Sequence, residues 1–127
     1  MSRAKIMILA GGTGGHVIPG LTIAKALEDA KCDVTWIGTK GGIEEKLVPK
    51  ANIKIEYINV IGLRGKSLKN VLIAVKQLIQ SLFQSINLLM KYRPDVVIGM
   101  GGYVSGPGGI AAFLLRYPLV IHEQNSV

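Results

Sequence analysis

A chain of 127 residues in which 49% are hydrophobic is the size of one domain around one core. Fifteen lysines and arginines against eight acids leave +7, a balance that favours an anionic partner (nucleic acid, a phosphorylated ligand or an acidic membrane surface) unless it serves only solubility. The single cysteine, Cys32, excludes an internal disulfide, fits a reducing compartment and reads as structural.

Lys5 to Ala10, "KIMILA", reads as a strand, and its apolar run of about five residues is too short for a signal peptide. "GGTGGHVIPG" follows, and Val17 to Ala30 reads as a helix with Pro19 in its first turn. Asp33 to Thr39 is a second strand. The polar stretch "KGGIEEKLVPKANI" has room for one short helix, and Ile53 to Val60 alternates as a third strand. After the basic loop "IGLRGKSLK" comes the longest helix, Leu68 to Met90, with apolar residues at three-and-four spacing. Asp95 to Gly99, Gly108 to Leu115 and Leu119 to His122 complete the pattern as strand, helix and strand. No stretch reaches the roughly 18 to 20 uncharged apolar residues of a membrane span. The nearest, residues 68–90, is broken by Lys69, Asn70, Lys76, Gln77, Gln80, Gln84 and Asn87.

Alternating strands and helices with apolar strands predict a Rossmann-like parallel sheet covered by helices on both faces. Ligands of such sheets sit beyond the carboxyl ends of the strands, where "GGTGGH", "GMGGYVSGPGG" and "HEQN" fall. Glycine loops there either expose backbone N–H groups to a phosphate or merely turn tightly. The dinucleotide fingerprint fails, because Val17 stands where the third glycine belongs and no acid ends the second strand. The nucleotide P-loop fails for want of a Lys-Ser/Thr pair after the glycines.

His16 lies where a helix begins, and the positive end of the dipole favours a neutral imidazole that can accept a proton. It is either a general base or a residue that only bonds the turn. Glu123 is a rival base, and His122, after an apolar run, reads as structural.

"GGTGGHVIPG", "GLRGKS", "PDVVIGMGGYVSGPGG" and "IHEQNS", in this order over residues 11–126, closely resemble the MurG family. These are UDP-N-acetylglucosamine transferases that complete the lipid-linked disaccharide of bacterial peptidoglycan. The resemblance implies that residues 1–127 are the N-terminal, acceptor-binding half of a GT-B enzyme, with a donor domain of similar size beyond Val127. It implies an inverting transfer from UDP-N-acetylglucosamine to the 4-hydroxyl of undecaprenyl-pyrophosphoryl-N-acetylmuramyl-peptide, with no cofactor and no catalytic metal. This chain alone is then expected not to transfer sugar.

Carried over by residue, His16 resembles the family's proposed base, and Thr13, Gly14, Gly15 and Asn125 its donor contacts. Gly102, Tyr103, Ser105, Arg64 and Glu123 resemble acceptor-side residues. The family also implies a membrane-touching patch ringed by basic residues, here Leu72, Lys76, Ile79, Leu82 and Phe113, on the cytoplasmic face of the cell membrane and without nucleic acid. Aromatic residues often seen in that patch are leucine or isoleucine in this chain, and the same residues could instead be core. Two other classes remain open. One is a stand-alone acceptor-binding subunit that recruits a separate donor-binding chain to the membrane; the other is a nucleotide-binding module without catalysis.

Overall fold

The computed structural model describes residues 3–12, 14–59, 68–101 and 104–122. Among these residues nine elements alternate: β1 Lys5–Ala10, α1 Gly14–Asp29, β2 Asp33–Gly38, α2 Glu44–Lys50, β3 Lys54–Tyr57, α3 Leu68–Tyr92, β4 Val96–Gly101, α4 Ser105–Leu114 and β5 Leu119–Ile121. The five strands form one parallel sheet in the order β3-β2-β1-β4-β5. Right-handed crossovers account for the layers. The chain first steps from β1 outward to β3, then returns to the other side of β1, so α1 and α2 settle on one face and α3 and α4 on the other.

The central strand β1 is apolar after Lys5 because it is covered on both faces. Ile8 and Ala10 join Trp36, Val48 and Met100 beneath α1 and α2. Met7 and Leu9 join Leu89, Val97, Val104 and Ala111 beneath α3 and α4. On the first face the buried Trp36 indole donates to the Ala10 carbonyl at 2.8 Å, tying the end of β1 to β2.

Among the described residues all four helices stop on a non-glycine residue in the left-handed region, α3 on Arg93 (φ 47°) with Pro94 after it. Lys31 (φ 68°), Asn52 (φ 61°) and Arg116 (φ 63°) follow α1, α2 and α4. After these three the next amide reaches back five residues: Cys32 to Leu27, Ile53 to Val48 and Tyr117 to Ala112, at 2.9, 3.2 and 2.9 Å. This satisfies carbonyls that a helix end leaves open.

The glycine-rich starts of α1 and α4 are helical, so both helices begin three residues earlier than expected from sequence. Low glycine propensity, about 1 kcal/mol per residue against alanine, is overridden by packing against the strand ends. Pro19 therefore lies in the interior of α1 and not in its first turn. Having no N–H, it leaves the Gly15 carbonyl without its helical donor.

α3 also departs from expectation. By length and composition its segment Val71–Tyr92 is apolar enough to cross a membrane. In the fold it is a surface helix, held to the sheet by Leu89 and by a polar seam. Ser81 Oγ donates to the Asn59 carbonyl and the Asn59 amide donates to Gln84 Oε1, clasping α3 to the end of β3. Of the expected patch, Leu72, Lys76, Ile79 and Phe113 are exposed. Leu82 is a correction: it is half-buried against the α3/α4 core, and the neighbouring exposed position is Phe83.

Candidate active site

Between β1 and β4 the strand order reverses, and the carboxyl ends of these two strands form the crevice edge of the sheet. The register between them shifts after Leu9, so that Leu9 pairs with Gly99 but Ala10 pairs with Gly101. Gly101 takes φ +108°, a conformation that L residues rarely adopt. A Cβ there would stand 2.6 Å from His16 Nδ1. The irregular, side-chain-free end of β4 is therefore the seat on which the His16 ring rests.

His16 sits in the first turn of α1, half-buried, with Nδ1 3.2 Å from the Met100 carbonyl. A carbonyl only accepts, so this contact assigns the proton to Nδ1 and leaves Nε2 as an acceptor in the neutral ring. Ser105, first residue of α4, ties the two strand ends together. Its hydroxyl accepts from the Gly101 amide at 2.8 Å, and the Leu9 and Gly101 carbonyls each lie 3.0 Å from it as acceptors. The hydroxyl's proton thus serves the ends of β1 and β4, on the second of which the His16 ring rests.

Gly14 and Gly15 share the first turn of α1 with His16. Thr13, Arg64, Gly102, Tyr103, Glu123 and Asn125 lie outside the described residues. The His122 amide donates to the Gly99 carbonyl at 2.8 Å, extending the ladder past β5, while its side chain is exposed and not part of the core. Among the described residues no three His, Cys, Asp or Glu side chains converge as metal ligands. Two cavities, of about 220 and 470 Å³, open at the amino ends of the strands around Asp33 and Thr35, on the edge opposite His16.

One residue at this edge escaped the sequence reading. Glu44, at the start of α2, is fully buried. Its Oε1 accepts from the Gly12 amide at 3.2 Å, and its Oε2 accepts from the Thr39 amide at 2.8 Å and the Thr39 hydroxyl at 3.2 Å. Gly11 is side-chain-free because a Cβ there would lie 2.4 Å from Glu44 Oε2. That end of the first glycine loop thus wraps an internal carboxylate instead of facing a ligand phosphate. Burial pushes the nearby Tyr57 phenol up, with the Glu45 and Glu44 charges adding to it. The signal was present in "GTKGGIE", an acid set among glycines, but it reads as surface until the two loops are brought together.

Residues 6–127 match the glycosyltransferase family 28 N-terminal domain. A UDP-N-acetylglucosamine–N-acetylmuramyl-(pentapeptide) pyrophosphoryl-undecaprenol N-acetylglucosamine transferase of Buchnera aphidicola subsp. Schizaphis graminum is 50% identical over 127 residues, covering 100% of this chain and 36% of that protein. The transferase of the same name from Vibrio cholerae serotype O1 (strain M66-2) is 53% identical over 123 residues, covering 97% and 35%. The crystal structure of Acinetobacter baumannii MurG superposes with a TM-score of 0.84 at 40% identity, over 97% of this chain and 36% of that one. The chain thus spans about a third of the length of these relatives.

Proposed function

Because the chain belongs to the glycosyltransferase family 28 N-terminal domains, we propose that it forms the acceptor-side half of an inverting N-acetylglucosamine transferase of peptidoglycan synthesis. The donor is UDP-N-acetylglucosamine, and the acceptor is the 4-hydroxyl of the lipid-linked N-acetylmuramyl-peptide. The observation that carries the reading of His16 is the contact of its Nδ1 with the Met100 carbonyl. With Nδ1 protonated, Nε2 faces the acceptor as the base. It takes the 4-hydroxyl proton as that oxygen bonds to C1 of the sugar. The C1–O bond to the β-phosphate breaks, and its electron pair leaves with UDP. The imidazolium that forms keeps its Nδ1–H on the Met100 carbonyl, a hydrogen bond strengthened by the charge.

Membrane docking belongs to the same reading. Leu72 and Phe83 on α3 and Phe113 on α4 are 64%, 61% and 76% exposed, and the two helices pack side by side. With Lys76 on the same helix and a net charge of +7, this surface suits an anionic leaflet at the cytoplasmic face of the membrane, where the lipid-linked acceptor is held.

The test is His16→Ala and His16→Gln in a transferase of full length. Loss of the general base lowers kcat about a hundredfold or more. A kcat within threefold of the parent enzyme in both variants rejects His16 as the base and turns attention to Glu123.

A further inference from the structure

We propose that Glu44 is a positioning residue for the transfer, resting on the reading of His16 as the base. It acts as an internal anion that sets the first glycine loop and, through it, the start of α1 that carries His16.

A carboxylate with no exposure is costly unless its oxygens are bonded, and Glu44 has three donors. These donors come from two separate loops. Gly12 belongs to the turn between β1 and α1, and Thr39 to the turn between β2 and α2. Glu44 is thus a cross-link between the loop that leads into His16 and a loop on the neighbouring strand.

The surroundings are shaped for it. A Cβ at Gly11, Gly38 or Gly42 would lie 2.4, 2.5 or 2.1 Å from an atom of the Glu44 side chain. Glycines on three sides therefore enclose one carboxylate. Gly12 itself takes φ +99°, the conformation in which its amide turns inward to Glu44 Oε1. Gly12 lies two positions before the start of α1 at Gly14, and His16 is the third residue of that helix. Releasing Gly12 frees the lead into the helix, whereas the other side of His16 stays seated on Met100 and Gly101. A base that must meet a hydroxyl within hydrogen-bond distance is sensitive to such slack.

Glu44→Gln is the mild variant, since it preserves volume while leaving one acceptor oxygen for two backbone amides. Gly42→Ala disturbs the same carboxylate from outside, with a methyl where Oε1 now lies. Both are made in a transferase of full length and read in two ways. Amide exchange at Gly12 and Thr39 should accelerate tenfold or more, while Met7 and Leu9 in β1 exchange as before. The kcat should fall about tenfold, with KM for the UDP-sugar within threefold, and the double variant should lose no more than the stronger single one.

Unchanged exchange at Gly12 overturns the proposal. So does unchanged kcat in a background where His16→Ala is inactive. If His16→Ala retains activity, the reading of His16 falls by itself, and the exchange data decide whether Glu44 sets the loop. If Glu44→Gln does not fold, Gly42→Ala decides; failure of both to fold makes Glu44 a core residue only and overturns the positioning role.

Discussion

At the scale of single residues, this domain places its polar groups by what they must accept or donate. His16 is oriented by a carbonyl, Ser105 by an amide and two carbonyls, and Glu44 by amides of two loops. Away from the crevice, Glu56 on β3 shows the same logic with a consequence for pH. Tyr92 donates a hydrogen bond to its Oε2, and Lys91 Nζ lies 3.4 Å from the same atom. The Tyr92 bond first, and the Lys91 charge after it, hold the Glu56 carboxyl below its ordinary value of 4.5. The folded state thus binds this proton more weakly than the unfolded chain does. The stabilisation is complete above about pH 4.5 and is lost as pH falls through the lower folded-state value. In acid titrations followed by circular dichroism, Glu56→Gln should show a shallower loss of stability below pH 4.5 than the parent. Parallel curves would mean that the carboxylate contributes nothing.

At the scale of elements, α3 shows how one helix serves two environments. Its 25 residues span about 37 Å, longer than the sheet it covers needs. The buried positions Ser81, Ser85 and Leu89 follow a strict spacing of four and face the sheet, with Leu82 and Ile86 beside them. Leu72, Ile79 and Phe83 lie on the outer side. Replacing Phe83 or Leu72 with aspartate should change stability by no more than about 0.5 kcal/mol while weakening binding to anionic vesicles. Leu82→Asp should instead cost roughly 2–4 kcal/mol in denaturant titrations, because it places a charge against the core. Equal destabilisation by all three would return the outer side of α3 to the core and remove the docking surface.

At the scale of the whole molecule, the proposed catalytic crevice and the proposed docking surface fall on different sides of the parallel sheet. His16, Glu44 and the β1–β4 crevice occupy the carboxyl edge, and the apolar surface lies on the α3/α4 face. The surplus of +7 acts over the entire domain, so any contribution it makes to the proposed docking depends on ionic strength. Raising salt from 0.1 to 1 M shortens the screening length from about 10 to about 3 Å. Partition onto phosphatidylserine vesicles should fall at least tenfold across that range. Partition that ignores salt would leave only apolar contact to hold the domain on a membrane.

The periodicities along the chain determined much of this architecture. The order of the five strands and four helices among the described residues follows from local patterning, because alternating burial on both faces of a parallel sheet leaves few other solutions. The two glycine loops and His16 announced the crevice edge for the same reason: sequence order puts them after strands. What the chain in one dimension could not determine was the use of its polar atoms. Gly101 beneath the His16 ring and Gly11 beside the Glu44 carboxylate became specific only when strands distant in sequence were brought into register. Leu82 and Phe83 are adjacent and equally apolar, and only packing against the sheet put one in the core and the other outside. Local pattern reports how a segment folds, but hydrogen bonding and burial depend on neighbours that only tertiary structure supplies.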